Sequence, residues 1–393
     1  MAFDPAAQIA LRRELHQIPE VGLQLPLTQQ RILQALDGLG LEVSTGSALS
    51  SVVAVLRGGA SPADGPRRVV LLRADMDALP VGEQSGEDFA ADNGAMHACG
   101  HDLHMAMLVG AAQLLVDQRD SLPGDVVLAF QPGEEGDDGA RMMIEEGLLE
   151  AAGQRPSAAF ALHVWASTFA NGSFATRPGT VMAASDPLDV TLLGRGGHGS
   201  APHLANDPVP ALAELVTALQ VLVARNFDLF DPALVTVGRI WAGQARNVIP
   251  DEANLQATLR TFSPEARDRL FALLPPLIEG IAAAHGLEAR ILLERLYPVT
   301  VNDDGQAALA QQAVRELFGT ERLVELEHSM TASEDFSKIL QQVPGCFLLL
   351  GACPPGTDPD QAPNNHSPKA RYDSEVMADG SRLLAELARR TLG

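Results

Sequence analysis

Eight consecutive residues, His97-Ala98-Cys99-Gly100-His101-Asp102-Leu103-His104, carry one thiol and three imidazoles. A soft to borderline divalent metal ion selects such donors. For any one of them a buried cysteine beside helix-end histidines is the plainer account, but three of the chain's ten histidines fall in this short stretch. A second segment, Phe130-Gln131-Pro132-Gly133-Glu134-Glu135-Gly136, follows an apolar run. Adjacent glutamates there can divide labour, one binding a metal while its neighbour faces the attacking water as general base. Taken alone, a solvated loop pair explains them better. His163 and His366 stand where a strand and a loop end, and a lone histidine on an apolar strand is usually a core residue. Only the whole set points to a metal. A thiolate, a carboxylate and three imidazoles approach what two metal ions need when each keeps an open position, provided Cys99 bridges them. Asp75 and Asp77, at the end of another strand-like run, are placed to orient a ligating imidazole from behind. A different chemistry would make Cys99 a nucleophile with His101 or His163 as its base. The remaining carboxylates and imidazoles are superfluous to that scheme.

The elements that must position these residues alternate strand-like and helix-like runs, the pattern of an α/β architecture. Helices are predicted over about Pro5–Gln17 and Leu27–Leu39, and strands over Ser51–Arg57 and Val69–Arg73. A long helix follows over about Asp102–Gln118, with Asp102 as its N-cap. Val126–Phe130 and Ala158–Val164 read as buried strands. The character changes near Ala183–Pro187. From there the order is strand (Leu188–Leu193), glycine-rich loop, helix (Pro208–Arg225), strand (Leu234–Trp241), strand (Glu252–Thr261), helix (Pro264–His285) and strand (Glu288–Arg295). This is the βαββαβ order of a ferredoxin-like unit. The first domain resumes near Tyr297, with a helix over Asp304–Leu317, a strand over Cys346–Gly351 and a closing helix over Ser374–Leu392. The expectation is a catalytic domain in two parts, 1–185 and 297–393, interrupted by an insert over 186–296.

Bulk properties exclude several classes. A chain of 393 residues exceeds the usual ceiling for one hydrophobic core, so two domains are the default. The formal net charge of −22 argues against nucleic acid and against an anionic membrane surface, since both need clustered Lys and Arg. Three cysteines without a CxxC pair fit free thiols in a reducing compartment. The start, MAFDPAAQIALRRELH, has the pattern of neither a signal nor a transit peptide. No stretch is read as the roughly 18–20 apolar residues that span a bilayer. A cytoplasmic location is expected.

The segments RADMDALP, HACGHDLHMA, QPGEE, LHVW, GGHGSAPH, ARNVIPD, LRTF, SEDFS and NNHSP follow one another in an order that resembles the aminoacylase/carboxypeptidase metallopeptidases. The likeness is to the amidohydrolase branch, with its hippurate hydrolases, indole-acetyl-amino-acid hydrolases and N-acyl-amino-acid amidohydrolases. It runs from Leu15-His16 to His366. The resemblance implies a mixed-sheet metallopeptidase-like catalytic domain with an inserted ferredoxin-like lid, and a homodimer formed through that lid. It implies two divalent metal ions (zinc, manganese, nickel or cobalt) on Cys99, His101, Glu135, His163 and His366, with Glu134 as general base. It further implies that His198 stabilises the oxyanion and that Asn247 and Arg260 lie near a small N-acyl amino acid substrate. Arg260 suits the substrate's free carboxylate, because a guanidinium binds carboxylate with two parallel hydrogen bonds. Here Asp75 stands where other branches carry a histidine ligand, and Cys99 replaces an aspartate bridge. The implied reaction is hydrolysis of the amide bond of N-acyl amino acids, with a dipeptidase or carboxypeptidase as the nearest rival. A non-catalytic descendant would have lost ligand positions, and none of the five is lost.

Overall fold

Four runs rich in aliphatic residues, Val69–Asp75, Asp125–Gln131, Ala158–Trp165 and Gly345–Gly351, are buried along their whole length in the computed structural model, which describes residues 3–63 and 65–393. Burial on both faces is what parallel strands require. They pair in parallel, in the spatial order 125–131, 69–75, 158–165, 345–351. Antiparallel pairing then extends the sheet through Val52–Arg57 to Glu42–Thr45 on one side. On the other side Phe174–Thr176 pairs antiparallel with Gly345–Gly351, and Leu323–Glu325 pairs parallel with Phe174–Thr176, making eight strands in a mixed sheet. The helix His101–Asp117 is buried on every side over its first three turns, and it packs against the helices Pro5–His16 and Val376–Leu392. All-round apolar character of this kind marks a core helix.

These elements belong to the first of two compact units, made of residues up to Val181, Val301–His328 and Asp335–Gly393. The second unit comprises Met182–Thr300 and Ser329–Glu334. Its sheet is antiparallel, ordered Ala233–Ala242, Glu252–Thr261, Asp186–Leu193, Glu288–Leu293. Strand Asp186–Leu193 alternates buried and half-buried positions, as a sheet with one covered face does. Helices Val209–Asn226 and Pro264–Ala284 share a core with it through Leu215, Leu219, Leu270, Leu274 and Ile278. Chain order and pairing make this unit ferredoxin-like, and the fold as a whole is mixed α/β.

Three local expectations need correction. Asp102 is not the N-cap of its helix. Gly100 occupies that position in a left-handed conformation, and Asp102 lies buried in the first turn against Arg12 and His16. Pairing with a guanidinium and an imidazole outweighs what a cap hydrogen bond supplies. The helix expected to begin at Pro208 begins at Val209, whose N–H bonds Asp207 Oδ1 at 3.0 Å. That same helix, Val209–Asn226, is long and apolar enough to cross a membrane by length and composition. Its apolar stripe is nevertheless spent on the core of the second unit through Leu212, Leu215, Leu219 and Leu222.

Candidate metal centre

The carboxyl ends of parallel strands are where open α/β sheets place their binding crevices. Strand Val69–Asp75 delivers Asp75 and, two residues on, Asp77; strand Asp125–Gln131 leads to Glu134 and Glu135; strand Ala158–Trp165 carries His163 near its end. Cys99 and His101 flank Gly100, which has φ 86°. A Cβ on Gly100 would lie 2.4 Å from Val164 Cγ2 and 3.2 Å from Tyr372 Cε1. Only glycine allows the chain to turn there and start the helix. His366 is one of the few non-glycine residues at positive φ, 69°, with its N–H donating to Ala98 O at 2.8 Å. Such a conformation is sparsely populated and persists where the surroundings impose it.

All five sequence-selected donors meet. One ligand atom each from Cys99, His101 and Glu135 lies within 4.8 Å of the others. Cys99 Sγ is 3.4 Å from His163 Nε2, and His366 Nε2 is 3.2 Å from Glu135 Oε1. Tautomers are set from behind. His101 donates from Nδ1 to the Asp77 carbonyl at 2.8 Å, and His163 from Nδ1 to the Val164 carbonyl at 2.8 Å. Both rings therefore turn Nε2 inward. His101 Nε2 is buried and makes no hydrogen bond among the described residues, and it stands 4.0 Å from Glu135 Oε1, which His366 already pairs. A buried polar atom without a partner costs about 1–3 kcal/mol, and a cation bound there removes that cost. Thiol, imidazole and carboxylate donors fit first-row divalent ions.

The electrostatics agree. Hydrogen bonds to Cys99 and Glu135 push the His366 imidazole up to about 10. Burial, then the Glu135 charge, raises the Cys99 thiol. Burial lowers the His163 imidazole, leaving it neutral and able to ligate. For His101 burial acts downward, but the Asp75 charge and a hydrogen bond to Asp77 prevail and hold its pKa well above the usual value. Protons held this way are the ones a binding cation displaces.

His104 sits beside this group but has both nitrogens occupied: Nδ1 donates to Asp75 Oδ1 at 2.5 Å and Nε2 accepts from Val164 N–H at 2.8 Å. Asp75 also takes Arg73 Nη1 at 2.6 Å and stays 3.8 Å from His101 Nδ1. Asp77 holds more. Besides bonding His101, its two carboxylate oxygens accept the N–H groups of Glu134 and Glu135, each at 3.0 Å. Glu134 is itself buried. The residues expected from the insert lie in the second unit. His198 pairs with Val248 in a two-residue ladder, and its Nδ1 accepts from Ser200 N–H at 3.1 Å and Ser200 Oγ at 2.8 Å. Asn247 O accepts from Gly199 N–H at 2.8 Å. Arg260 donates from Nη1 to Thr331 O at 2.8 Å and has no carboxylate partner among the described residues.

Sequence reasoning missed several groups. Asn365 donates to Cys99 O at 3.3 Å and Val164 O at 3.1 Å while accepting from Ala166 N–H at 2.9 Å. Buried Arg73 bonds Gln131 and Asp335 as well as Asp75. His16 bridges Asp102 and Glu83. Asparagine before a histidine in a loop reads as turn chemistry, so only its spatial neighbours reveal Asn365.

Fold and donor set together are those of a metal-dependent hydrolase. Residues 71–390 match the family described as Peptidase family M20/M25/M40. The chain is 36% identical over 385 residues to Thermostable carboxypeptidase 2 of Saccharolobus solfataricus, covering 97% of this chain and 94% of that one. It is 36% identical over 389 residues to the IAA-amino acid hydrolase ILR1-like 5 of Arabidopsis thaliana, covering 98% and 86%. A Bacillus subtilis crystal structure described as a dinuclear metal binding peptidase from the M20 family superposes with a TM-score of 0.83 at 31% identity, covering 99% and 98%. The chain belongs to this peptidase family, whose members are metal-dependent hydrolases of amide bonds.

Proposed function

We propose that this protein hydrolyses the amide bond of N-acyl amino acids, releasing a carboxylic acid and a free amino acid. The observation that carries the reading is the convergence of Cys99, His101, Glu135, His163 and His366, with the inward His101 Nε2 buried and unpartnered among the described residues and Glu134 next to Glu135 in the chain. In this reading those five residues would hold two divalent ions. Such ions supply Lewis acidity and lower the pKa of a water from about 15.7 towards 7.

The chain's own residues do the rest. Glu134, its backbone pinned by Asp77, takes a proton from the attacking water as the water oxygen bonds the acyl carbon. It then gives that proton to the amine nitrogen as the C–N bond breaks. His198 accepts at Nδ1 from Ser200 N–H, so its proton is on Nε2, where it serves as donor to the oxyanion. Arg260, lacking a carboxylate partner among the described residues, pairs with the free carboxylate of the substrate, and Asn247 lines the same region. Residues 186–296 act as lid and as dimer contact. The edge strand Ala233–Ala242, which exposes Leu234, Ile240 and Trp241, supports the dimer.

The 36% identity to a carboxypeptidase favours a second reading, in which a peptide is cut beside its terminal carboxylate. One experiment separates them. Metal content is measured, then hydrolysis of N-acetyl, N-benzoyl and indole-acetyl amino acids is compared with dipeptides and longer peptides, before and after chelation. The proposal expects two ions per chain, acyl amino acids as best substrates, and loss of activity on chelation with recovery on metal addition. Faster peptide cleavage overturns the substrate; full activity without metal overturns the mechanism.

A further inference from the structure

Two side chains outside the donor set divide its scaffolding. Asp77 takes His101 through its carbonyl and the backbone of Glu134 and Glu135 through its carboxylate. The other three donors, Cys99, His163 and His366, are tied together at a different point. The Asn365 amide spans the Cys99 carbonyl, the Val164 carbonyl and the Ala166 N–H. Val164 O is also the acceptor that orients His163 through Nδ1. Asn365 directly precedes His366, whose own N–H is anchored on Ala98 beside Cys99. Asn365 Nδ2 further stands 3.8 Å from Cys99 Sγ, close enough for a weak N–H···S contact.

We propose that Asn365 is a positioning residue for metal binding, a clamp that holds Cys99, His163 and His366 in register. The inference rests on the metal reading of this site and adds to it a residue that binds no ion. Its chemistry follows from the amide. Two donors and one acceptor face two carbonyls and one N–H, so every polar atom of Asn365 is matched. A carboxylate of the same shape has no donors. At this position it would set negative oxygen against two carbonyl oxygens and the Cys99 sulfur. Asn365→Asp therefore breaks the clamp while adding a charge that by itself would attract cations, and the two effects oppose each other in sign.

Equilibrium dialysis of the full chain against cobalt(II), with the thiolate-to-cobalt absorption band and the apo-protein unfolding midpoint recorded in parallel, tests the clamp. Wild-type protein is expected to bind two ions per chain with a strong thiolate band. Removing an outer partner of a metal ligand typically lowers affinity about 10–100-fold. Asn365→Ala is expected to fall in that range with a shifted or weakened band, and Asn365→Asp to be at least as weak. Should Asn365→Ala fail to fold, the isosteric Asn365→Asp carries the test. Wild-type affinity and an unchanged band in the variants, or tighter binding by Asn365→Asp, overturns the clamp while leaving the metal site intact. Wild-type protein that binds no cobalt overturns both.

Discussion

His16 offers a quantitative test of the packing behind the donor group. Its ring is sandwiched between two acids, with Nδ1 2.8 Å from Asp102 Oδ2 and Nε2 3.0 Å from Glu83 Oε1, and its side chain is only 3% exposed. Burial alone would lower its pKa, but Asp102 and Glu83 outweigh burial and push it up to about 9. The folded value thus exceeds the ordinary value of 6.5. The protonated ring stabilises the fold fully below about pH 6.5, and that contribution fades as pH rises through about 9. At about 1.4 kcal/mol per pH unit it amounts to ~3 kcal/mol. His16→Gln removes the charge and hence the pH dependence. The chain's two tryptophans are Trp165 and Trp241, one in each unit. In a Trp241→Phe background, urea unfolding followed by Trp165 fluorescence reports on the first unit. Chelator-treated protein with and without His16→Gln would be compared at about pH 6 and about pH 9.5. The gap between the two should shrink by ~3 kcal/mol, or about 1 M urea for a slope near 3 kcal/mol per molar. Groups common to both proteins cancel in that difference. Parallel pH profiles for the two proteins would refute a charged His16 in the fold.

Three further outcomes follow from the site. Glu134→Gln should lower kcat by about 10²–10⁴ with metal content unchanged, since the lost group moves a proton; unaltered kcat would remove Glu134 from the mechanism. Arg260→Ala should raise KM for N-acyl amino acids by about 10–100-fold, the ~1.5–3 kcal/mol of a hydrogen bond to a charged group. The same substrates with an amidated carboxyl should show no such change, and an unchanged KM for the acids would clear Arg260. Gly100→Ala places a methyl 2.4 Å from Val164 at a left-handed φ, a conformation that alone costs ~1–2 kcal/mol; thermal unfolding and metal titration should both show the loss, and wild-type values for both would mean that the turn relaxes freely.

The amino-acid sequence by itself carried the α/β alternation, the βαββαβ insert and the cluster of Cys99, His101 and His104, because each is written in short-range pattern. Buried parallel strands need continuous apolar runs, and Cys99, His101 and His104 lie within six positions of one another. What spacing could not say is which of those imidazoles has a lone pair to give. His101 and His104 stand three residues apart on one helix face, and only their neighbours distinguish them. Asp75 and the Val164 N–H consume both nitrogens of His104, whereas the Asp77 carbonyl takes one from His101 and leaves the other bare. Asp102 shows the same limit from the other side. As a helix-start aspartate its local role is a cap, yet Arg12, some ninety residues earlier, pairs with it. Capping is a local preference of about 1 kcal/mol, and a buried ion pair formed across the fold overrides it. The clamp on Asn365 is tertiary in the same sense: a single amide reaching strands and loops up to 266 residues away in the chain has no signature until the chain is folded.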